Sequence, residues 1–542
     1  MKKNLIISLI LLTCTGFYSC NKDFLNLAPN ENITEAQAFS TMIQTENFTN
    51  NIYTGLPSTF TRTGDGNTPL DCLSDEGAPT FWQNGRTFNG GGYGPTNITS
   101  FIGNIWANSY RNIRKVNILL EKLPGVPAVN PDDEDTRKRL KGEALFLRAF
   151  YYFDILKVFG RFPIVSKRLA VDQEFKMSRN SYDECVAFIQ KDLDDAIPLL
   201  LSTYPVNQLG RANKAMCMAL KSRLLLYAAS PLNSADNTGK WQAAAKAAKD
   251  LIDLKQFSLY DVNPDKAENY KAIFNLFANQ EVIWFINLGN GKSYEQLYYP
   301  IGSNGWGNVT PTQNIVDEYQ MANGKSISDP TSGYDPAKPY LNREPRFYAT
   351  VWYNGSVVRS LAVQTYAGGR DAINGGNNNT KTGYYLRKYC DETVSLASGP
   401  GRQMMSIWFR LGEFYLNYAE ASNEANTTPT ADPLIYTYIN LIRNRAGLPD
   451  LTAGLSKEQM RLAIRHERKV ELAFEEHRFF DDRRWKSTFG GDIKGIVWAD
   501  AAGSSYNLVT AENRPFHQKM WYMPIPQLEI DITKMEQNPD WK

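Results

Sequence analysis

The segment that decides the fold lies between Arg410 and Trp485. It reads RLGEFYLNYAEASNEAN (410–426), YINLIRNRAGLPDL (438–451) and IRHERKVELAFEEHRFFDDRRW (464–485). Apolar residues recur every three or four positions, which is the spacing of an amphipathic helix. A Gly-Leu-Pro sequence closes the second part, and a serine precedes the third. The segment therefore predicts three helices, the last of which runs from Ser456 to about Phe480.

Charged residues in this segment stand beside large apolar residues, not on a separate polar face. They are Arg443, Arg445, Glu467, Arg468, Glu471, Glu475 and Arg478. Spacings of three and four place such side chains on one side of a helix. Because a buried charge needs a partner, we interpret them as partly buried ion pairs that hold helices together. A catalytic carboxylate pair is the alternative.

These motifs resemble the C-terminal signature of the SusD/RagB family, surface lipoproteins for nutrient uptake in Gram-negative bacteria. One departure is His477, where such sequences usually carry Gly, and we expect it to affect only a helix end. The resemblance covers nearly the whole mature chain. Its motifs are E-x4-YAEA (413–421), IN-x-IRNRAGLP (439–449), I-x-x-ER-x-x-ELAFE (464–475), RFFD-x-RRW (478–485), GEALFLRAFYYFDILKVFGRFPIV (142–165), YLNREPRFYATVWYNG (340–355) and the closing P-I-P and Q-N-P (522–541).

The resemblance implies a mostly α fold, in which tetratricopeptide-like helical pairs form a scaffold and a loop-rich insertion carries small β-strands. Long amphipathic stretches before residue 260 agree with such pairs, although no strict 34-residue period is visible. We predict four regions. They are a lipoprotein signal peptide (1–19), an N-terminal helical region (20–269), a loop-rich insertion on the ligand side (270–405) and the signature region that completes the scaffold (406–542).

The leader has two lysines followed by a short apolar run, too short to span a bilayer. It ends in Ser19-Cys20, which is typical of a bacterial lipoprotein cleavage site. We therefore predict a lipid on Cys20 and a surface-exposed location at the outer membrane. An ordinary secreted protein with Cys20 as a plain thiol is one alternative, and Cys14 is a second candidate for the lipid.

Composition argues against several functions. Without the two leader lysines the chain has 57 basic and 57 acidic residues, so nothing suggests a nucleic-acid partner. His466-Glu467 lacks the second histidine of a zinc-protease helix, because Val470 occupies that position. No G-x-S-x-G motif is present either. We therefore assign no catalytic residue and predict that the protein is not an enzyme, with a glycan-degrading enzyme as the less favoured alternative.

Cysteine spacing gives no metal motif. Cys72, Cys185, Cys217 and Cys390 are far apart, and the two in helical patterns, Cys185 and Cys217, are expected in the core. We assign no metal ligand and no cofactor, although Asp- and Asn-containing loops leave bound calcium open.

Aromatic residues in turn-rich segments are the candidates for ligand binding, because a sugar presents an apolar face with a polar rim. The family resemblance implies that such aromatics come from N-terminal loops and from the insertion. Trp82 and Trp306 are favoured, since turn-forming residues flank both. Burial in the core is the other interpretation of each aromatic. The full candidate set is Phe81, Trp82, Asn84, Tyr298, Tyr299, Asn304 and Trp306.

The resemblance implies a function in uptake. The protein would be a glycan-binding lipoprotein that captures an oligosaccharide at the cell surface. It would pass this ligand to a SusC-like TonB-dependent transporter. The same architecture binding peptides is the alternative.

Overall fold

The computed structural model describes residues 33–541 except 59, 61, 82, 171–175, 235–237, 374 and 377. The helices are α1 (Glu35–Ala38), α2 (Met42–Tyr53), α3 (Gln83–Asn89), α4 (Thr99–Ile102), α5 (Ile105–Lys122), α6 (Asp133–Phe159), α7 (Tyr182–Ala196), α8 (Lys214–Ala229), α9 (Thr238–Ile252), α10 (Lys266–Asn275), α11 (Ser293–Tyr298), α12 (Gln313–Glu318), α13 (Pro345–Thr350), α14 (Leu411–Ala425), α15 (Leu434–Arg445), α16 (Lys457–Glu471), α17 (His477–Arg484) and α18 (Gln527–Thr533).

The strands are short and pair in antiparallel couples. They are β1 (Gly77–Pro79), β2 (Val282–Gly291), β3 (Val309–Pro311), β4 (Val351–Trp352), β5 (Val357–Val358), β6 (Leu361–Ala362), β7 (Tyr385–Leu386), β8 (Arg402–Arg410), β9 (Gly491–Trp498) and β10 (Tyr506–Arg514). The couples are β1–β3, β2–β8, β4–β7, β5–β6 and β9–β10. The predicted fold class, a mostly helical scaffold with small strands, is confirmed.

The scaffold is a series of helices in which each packs on the next along the chain from α5 to α9. Its central helix is α6, whose residues 142–159 are all buried, so this part of the helix is enclosed on every side. The series then continues from α9 to α14, which follow one another in space although the insertion separates them in sequence. Helix α14 packs in turn on α15 and α16. Helices α14, α15 and α16 therefore extend the helical scaffold.

The predicted single helix from Ser456 to Phe480 is wrong in one respect. The structure has two helices, α16 and α17, with a break at residues 472–476. Phe474 and Glu476 have positive φ angles of 61° and 63°, a conformation that no α-helix can contain. The turn-rich segment 55–100 contains β1 and α3, and α4 begins at Thr99. Hydrophobic spacing did not reveal these short elements.

The insertion has its own apolar core. Aromatic and aliphatic side chains from α10, α11, α12, α13, β4 and β7 fill it, together with Phe474 and Trp498 from the signature region. Strand β2 pairs with β8, which leads directly into α14. The insertion is therefore joined to the scaffold both by a β-ladder and by a shared core, and this junction fixes the surface loops described next.

Candidate ligand-binding site

The β1–β3 ladder brings an N-terminal loop and a loop of the insertion to the same place. Pro79 pairs with Val309 at the end of the ladder, and the Thr80 N–H donates to the Asn308 carbonyl (3.1 Å). Phe81 lies just after one strand, and Trp306 lies just before the other. Two residues separated by 225 positions are thereby placed side by side.

The turn that carries Trp306 is anchored to helix α11. The Trp306 N–H donates to the Gln296 carbonyl (2.8 Å), and the Gly307 N–H donates to the Tyr299 carbonyl (3.0 Å). Gly305 permits this close approach, because a Cβ atom there would lie 2.2 Å from the Tyr299 carbonyl oxygen. Backbone bonds and a steric requirement for glycine therefore define the position of the tryptophan.

Phe81 and Trp306 border an open depression of about 500 Å³. Their rings meet edge to face, with centroids 6.3 Å apart and an angle of 80° between planes. Phe81 is 37% exposed and Trp306 43% exposed. The lining of this Phe81–Trp306 depression is Thr80, Phe81, Gln83, Arg86, Trp306, Asn378 and Lys381. It combines two aromatic faces with hydrogen-bonding groups.

Tyr298 and Tyr299 do not belong to this surface, so their prediction as exposed ligand aromatics is wrong. Both side chains are fully buried. Tyr298 packs beside Tyr294 in the core of the insertion, with centroids 5.9 Å apart. The Tyr299 hydroxyl donates to the Asp391 carbonyl (2.7 Å), and its ring packs edge to face on Trp352. The Tyr299 hydroxyl finds a carbonyl partner, so this side chain can be buried whole, and sequence does not show such a partner.

The remaining candidates divide into two groups. Asn84 on α3 and Asn304 before the Trp306 turn are exposed, but neither lines the depression. Asn304 has a left-handed backbone (φ 65°) and caps a single 3₁₀ turn at Ile301–Ser303. Trp82 and the proposed lipid site Cys20 lie outside the described residues.

Sequence reasoning missed the two cations of the site, Arg86 and Lys381. Arg86 lies on α3, and its guanidinium donates to the Thr80 carbonyl. Lys381 comes from the insertion, where the hydroxyl of its neighbour Thr382 donates to the Pro311 carbonyl of β3 (2.6 Å). Arg86 stood near the predicted aromatics and could have been included. Lys381 had no local signal, because only the fold brings it there.

Burial lowers the pKa of the Lys381 ammonium, and the nearby positive charge of Arg86 lowers it further. The two cations thus repel one another across the depression.

The charged residues of the signature region form a buried ionic network, as predicted. The Glu471 carboxylate accepts hydrogen bonds from Arg410 (2.7 Å) and Arg346 (2.9 Å), and it also pairs with Arg445. All four side chains are almost completely buried. Burial alone would raise the pKa of the Glu471 carboxyl. The guanidinium groups of Arg445, Arg410 and Arg346 outweigh burial and hold its pKa well below the ordinary value.

The network extends to residues that the signature does not contain. Glu281, just before β2, accepts from Arg410 (2.8 Å) and Arg445 (2.9 Å). Lys388, also from the insertion, donates to Glu475 (2.8 Å). Glu281, Arg346 and Lys388 were missed, because their partners in the signature region lie more than 80 positions away. The network therefore fastens the insertion, and with it the loop that carries Trp306, to the scaffold.

A second set of ion pairs holds the N-terminal loop. The Arg478 guanidinium donates to both carboxylate oxygens of Asp75 (2.8 and 3.1 Å), and Lys469 donates to the same carboxylate (3.0 Å). Asp75 lies two residues before β1. Arg478 also pairs with Asp482 (3.0 Å). These contacts fix the strand from which Phe81 extends.

His477 stands where the family usually carries Gly, but the position that favours glycine in this structure is the one before it. His477 is the first residue of α17, and the residue with the left-handed backbone that favours glycine is Glu476 (φ 63°). The Glu476 carboxylate lies near Arg62 (3.3 Å) in the interior. Burial raises the pKa of Glu476 to about 7, although Arg62 opposes this rise.

Among the described residues Cys72, Cys185, Cys217 and Cys390 are free and buried, which confirms the core positions of Cys185 and Cys217.

A sequence model of the SusD family matches residues 271–541, half of the chain. The chain belongs to the SusD family. A second model, described as starch-binding associating with outer membrane, matches residues 23–226. Together the two matches include the β1 loop, the insertion and the signature helices.

Individual relatives agree with this family membership. SusD-like protein P25 of Formosa agariphila is 25% identical over 463 residues, which cover 80% of this chain and 77% of the relative. A crystal structure of a SusD-like protein from Bacteroides fragilis is 26% identical, has a TM-score of 0.79 and covers 95% of this chain and 100% of that one. A SusD-like carbohydrate-binding protein from the same species shares the fold with a TM-score of 0.75 at 23% identity, over 91% of this chain and 98% of that one.

Within the part of the chain that the structure describes, no helix is both long enough and apolar enough to cross a membrane.

Proposed function

We propose that this SusD-family protein binds a glycan in the Phe81–Trp306 depression and passes it to a SusC-like TonB-dependent transporter at the outer membrane. The observation that carries the proposal is the pair of exposed aromatic rings brought together by the β1–β3 ladder. Aromatic faces cover the apolar side of a sugar ring, and Gln83 and Asn378 offer hydrogen bonds at its edge. The relatives support a carbohydrate ligand, since one B. fragilis protein of this fold is described as carbohydrate-binding.

Binding without catalysis is the chemistry that this lining supports. Among the described residues that line the depression, none is a carboxylate, a histidine or a cysteine. Glycoside hydrolysis uses a pair of carboxylates on either side of the bond to be cleaved. The depression offers cations, amides and aromatic rings, which hold a ligand but do not supply that acid–base pair.

A lipid on Cys20 would hold the protein at the membrane, and the transporter would receive the captured ligand. This part of the proposal rests on the Ser19-Cys20 pattern and on family membership. Open sites of this kind bind single ligands weakly, so a polymer with several binding units would be retained better than a short fragment.

The test is a binding screen of the purified full-length protein against neutral polysaccharides, acidic polysaccharides and peptides. We expect a polysaccharide to bind, and Trp306→Ala or Phe81→Ala to weaken that binding about tenfold. Leu462→Ala is the matched control, because Leu462 is an exposed apolar residue on α16, outside the depression. Binding of peptides alone, or of a polysaccharide with the same affinity in all variants, would contradict the proposal.

A further inference from the structure

A second open depression lies between the insertion and the β9–β10 hairpin. Its volume is about 400 Å³, and we call it the Tyr340–Tyr353 depression. Ligand sites in proteins have volumes of about 300–1,000 Å³, so this space suffices for a small ligand. None of the described residues that line it also lines the Phe81–Trp306 depression. It is therefore a separate surface that the function proposed above does not use.

Two tyrosine rings border this depression in fixed orientations. The rings of Tyr340 and Tyr353 are half-buried, with centroids 4.3 Å apart and 35° between their planes. The Tyr340 hydroxyl accepts a hydrogen bond from the Trp498 indole N–H (3.0 Å) and donates one to the Tyr384 hydroxyl (3.3 Å). Because both bonds hold the end of the ring, Tyr340 keeps its orientation whether or not a ligand is bound. An aromatic surface that is formed in advance costs a ligand less to order.

Small residues keep these rings accessible. The turn of the β9–β10 hairpin borders the depression with Ala501, Ala502 and Gly503. Gly503 has a positive φ of 67°, and a Cβ atom there would lie 3.4 Å from the Trp498 ring. Gly355, with a φ of 85°, also borders the depression. Larger side chains at these positions would fill the space beside the tyrosines.

Hydrogen-bond donors stand beside the rings. The Asn354 side-chain oxygen accepts a bond from the Thr365 N–H (3.1 Å), so its NH₂ group is the part that it can offer to a ligand. Lys338, which is exposed, adds an ammonium group. Among the described residues that line the depression, none is a carboxylate. Aromatic rings with a few donors at the edge suit a sugar, which has an apolar face and a rim of hydroxyl oxygens.

One chain segment joins the two depressions. It begins with Asn378, which lines the first, and reaches Tyr384, whose hydroxyl contacts Tyr340 of the second. Between these residues, the Thr382 carbonyl accepts a hydrogen bond from the Ile496 N–H on β9 (2.8 Å). Six residues of extended chain span at most about 22 Å. A polysaccharide can therefore reach from one depression to the other.

Building on the function proposed above, we infer that the Tyr340–Tyr353 depression is a second contact site for the same polysaccharide. One sugar unit would cover the tyrosine rings and place its hydroxyls on Asn354 and Lys338. Another unit of the same chain would occupy the Phe81–Trp306 depression. The second contact is then intramolecular, so two weak contacts together hold a polymer more tightly than either alone. Polymers would be retained, and short fragments would be released.

The test measures the affinity of the full-length protein for starch, laminarin, xylan and polygalacturonate, each compared with its own trisaccharide. Ala502→Leu fills the second depression from an exposed position. It should weaken binding of the polymer that the wild type binds best by at least about tenfold, because the second contact is lost. The affinity of the trisaccharide for the Phe81–Trp306 depression should change by less than about twofold, because that contact is independent of the polymer's length.

Matched variants connect the effect to the tyrosine rings. Tyr353→Ala removes one ring and should weaken polymer binding as Ala502→Leu does. Tyr353→Phe keeps the ring and should retain most of the affinity. Ala128→Leu is the control, because Ala128 is an exposed alanine in the loop between α5 and α6 and lines neither depression. Melting temperatures of all variants are compared with that of the wild type.

The outcomes separate the two proposals. Wild-type polymer affinity in folded Ala502→Leu and Tyr353→Ala variants, together with a loss in Trp306→Ala, would overturn the second site and leave the proposed function intact. A loss in Ala128→Leu as large as that in Ala502→Leu would also overturn the second site. A loss in Ala502→Leu without any loss in Trp306→Ala would support the second site but contradict the proposed function. Absence of binding to all four polymers would contradict both.

Discussion

Neutralising Glu471 should have a large effect on stability, because this one carboxylate pairs with three guanidinium groups. Glu471→Gln keeps the size of the side chain but removes its charge. Arg410, Arg445 and Arg346 would then lose their common partner. All three arginine side chains are only 1% exposed, so water cannot replace the carboxylate.

The expected cost is about 3–5 kcal/mol, the range found when one partner of a buried ion pair is removed and its counter-charges stay buried. We expect a value within this range and not above it, because Glu281 and Glu475 still pair with Arg410 (2.8 and 2.7 Å), and Glu281 with Arg445. The wild-type network as a whole can contribute much less to stability than this figure, since burying the charges has its own cost.

Urea denaturation at neutral pH, followed by circular dichroism, measures the change. Glu458→Gln is the matched control, because Glu458 is on the same helix and its side chain is 62% exposed. Its ion pair with Arg461 is a surface pair, worth about 0–1 kcal/mol. Equal stability of the Glu471→Gln and Glu458→Gln variants would refute the reasoning that the buried network holds the insertion to the scaffold.

The pH dependence gives a second readout of the same prediction. The pKa of Glu471 in the folded protein lies below its ordinary value of 4.5. A carboxyl with a lowered pKa contributes stability that is fully present above the unfolded-state pKa and is lost as pH falls through the folded-state pKa. The stability difference between wild type and Glu471→Gln should therefore be complete at pH 7 and shrink below about pH 4.5. A difference that grows on acidification would contradict this sign.

Three further predictions concern single positions. Glu476→Gly should be more stable than Glu476→Ala by about 1 kcal/mol in urea denaturation. Both variants lack the carboxylate, but only glycine adopts the left-handed backbone (φ 63°) without strain. Equal stabilities of the two variants would show that the backbone at this position relaxes freely. Gly305→Ala should weaken polysaccharide binding in a titration, since the new Cβ would meet the Tyr299 carbonyl oxygen and displace the turn that carries Trp306; unchanged affinity would argue against a fixed turn. Cys20→Ala should release the protein from the membrane fraction of fractionated cells, and a variant that stays fully membrane-bound would rule out the lipid anchor.

Much of the scaffold could be predicted from local sequence. Periodic apolar spacing predicted helices within 410–426 and 438–451, and α14 (Leu411–Ala425) and α15 (Leu434–Arg445) are found there. The break between α16 and α17 could not be found in this way, because the apolar spacing continues through it. The left-handed residues that interrupt the helix, Phe474 and Glu476, are not types that signal a break.

The candidate site was predictable only in part, for a related reason. Turn-forming neighbours favoured Trp306 and Trp82, of which Trp82 lies outside the described residues. Phe81, Tyr298 and Tyr299 belonged to the wider candidate set, and the two tyrosines lie in the core. The difference depends on carbonyl and ring partners that come from distant segments. Lys381 reaches the depression through contacts of the same long-range kind. The predicted region boundaries 1–19, 20–269, 270–405 and 406–542 stay predictions.

The most direct test of the proposed binding site is a calorimetric titration of the Phe81→Ala/Trp306→Ala double variant with the polysaccharide that binds best in the screen. Trp306 is 43% exposed. A ligand that covers about 50 Å² of each ring would gain about 1.3 kcal/mol per ring at 25 cal/mol per Å². Removing both rings should therefore weaken binding by about two orders of magnitude. The double variant should show this loss with an unchanged melting temperature. Wild-type affinity in a correctly folded double variant would contradict the claim that the Phe81–Trp306 depression is the glycan site.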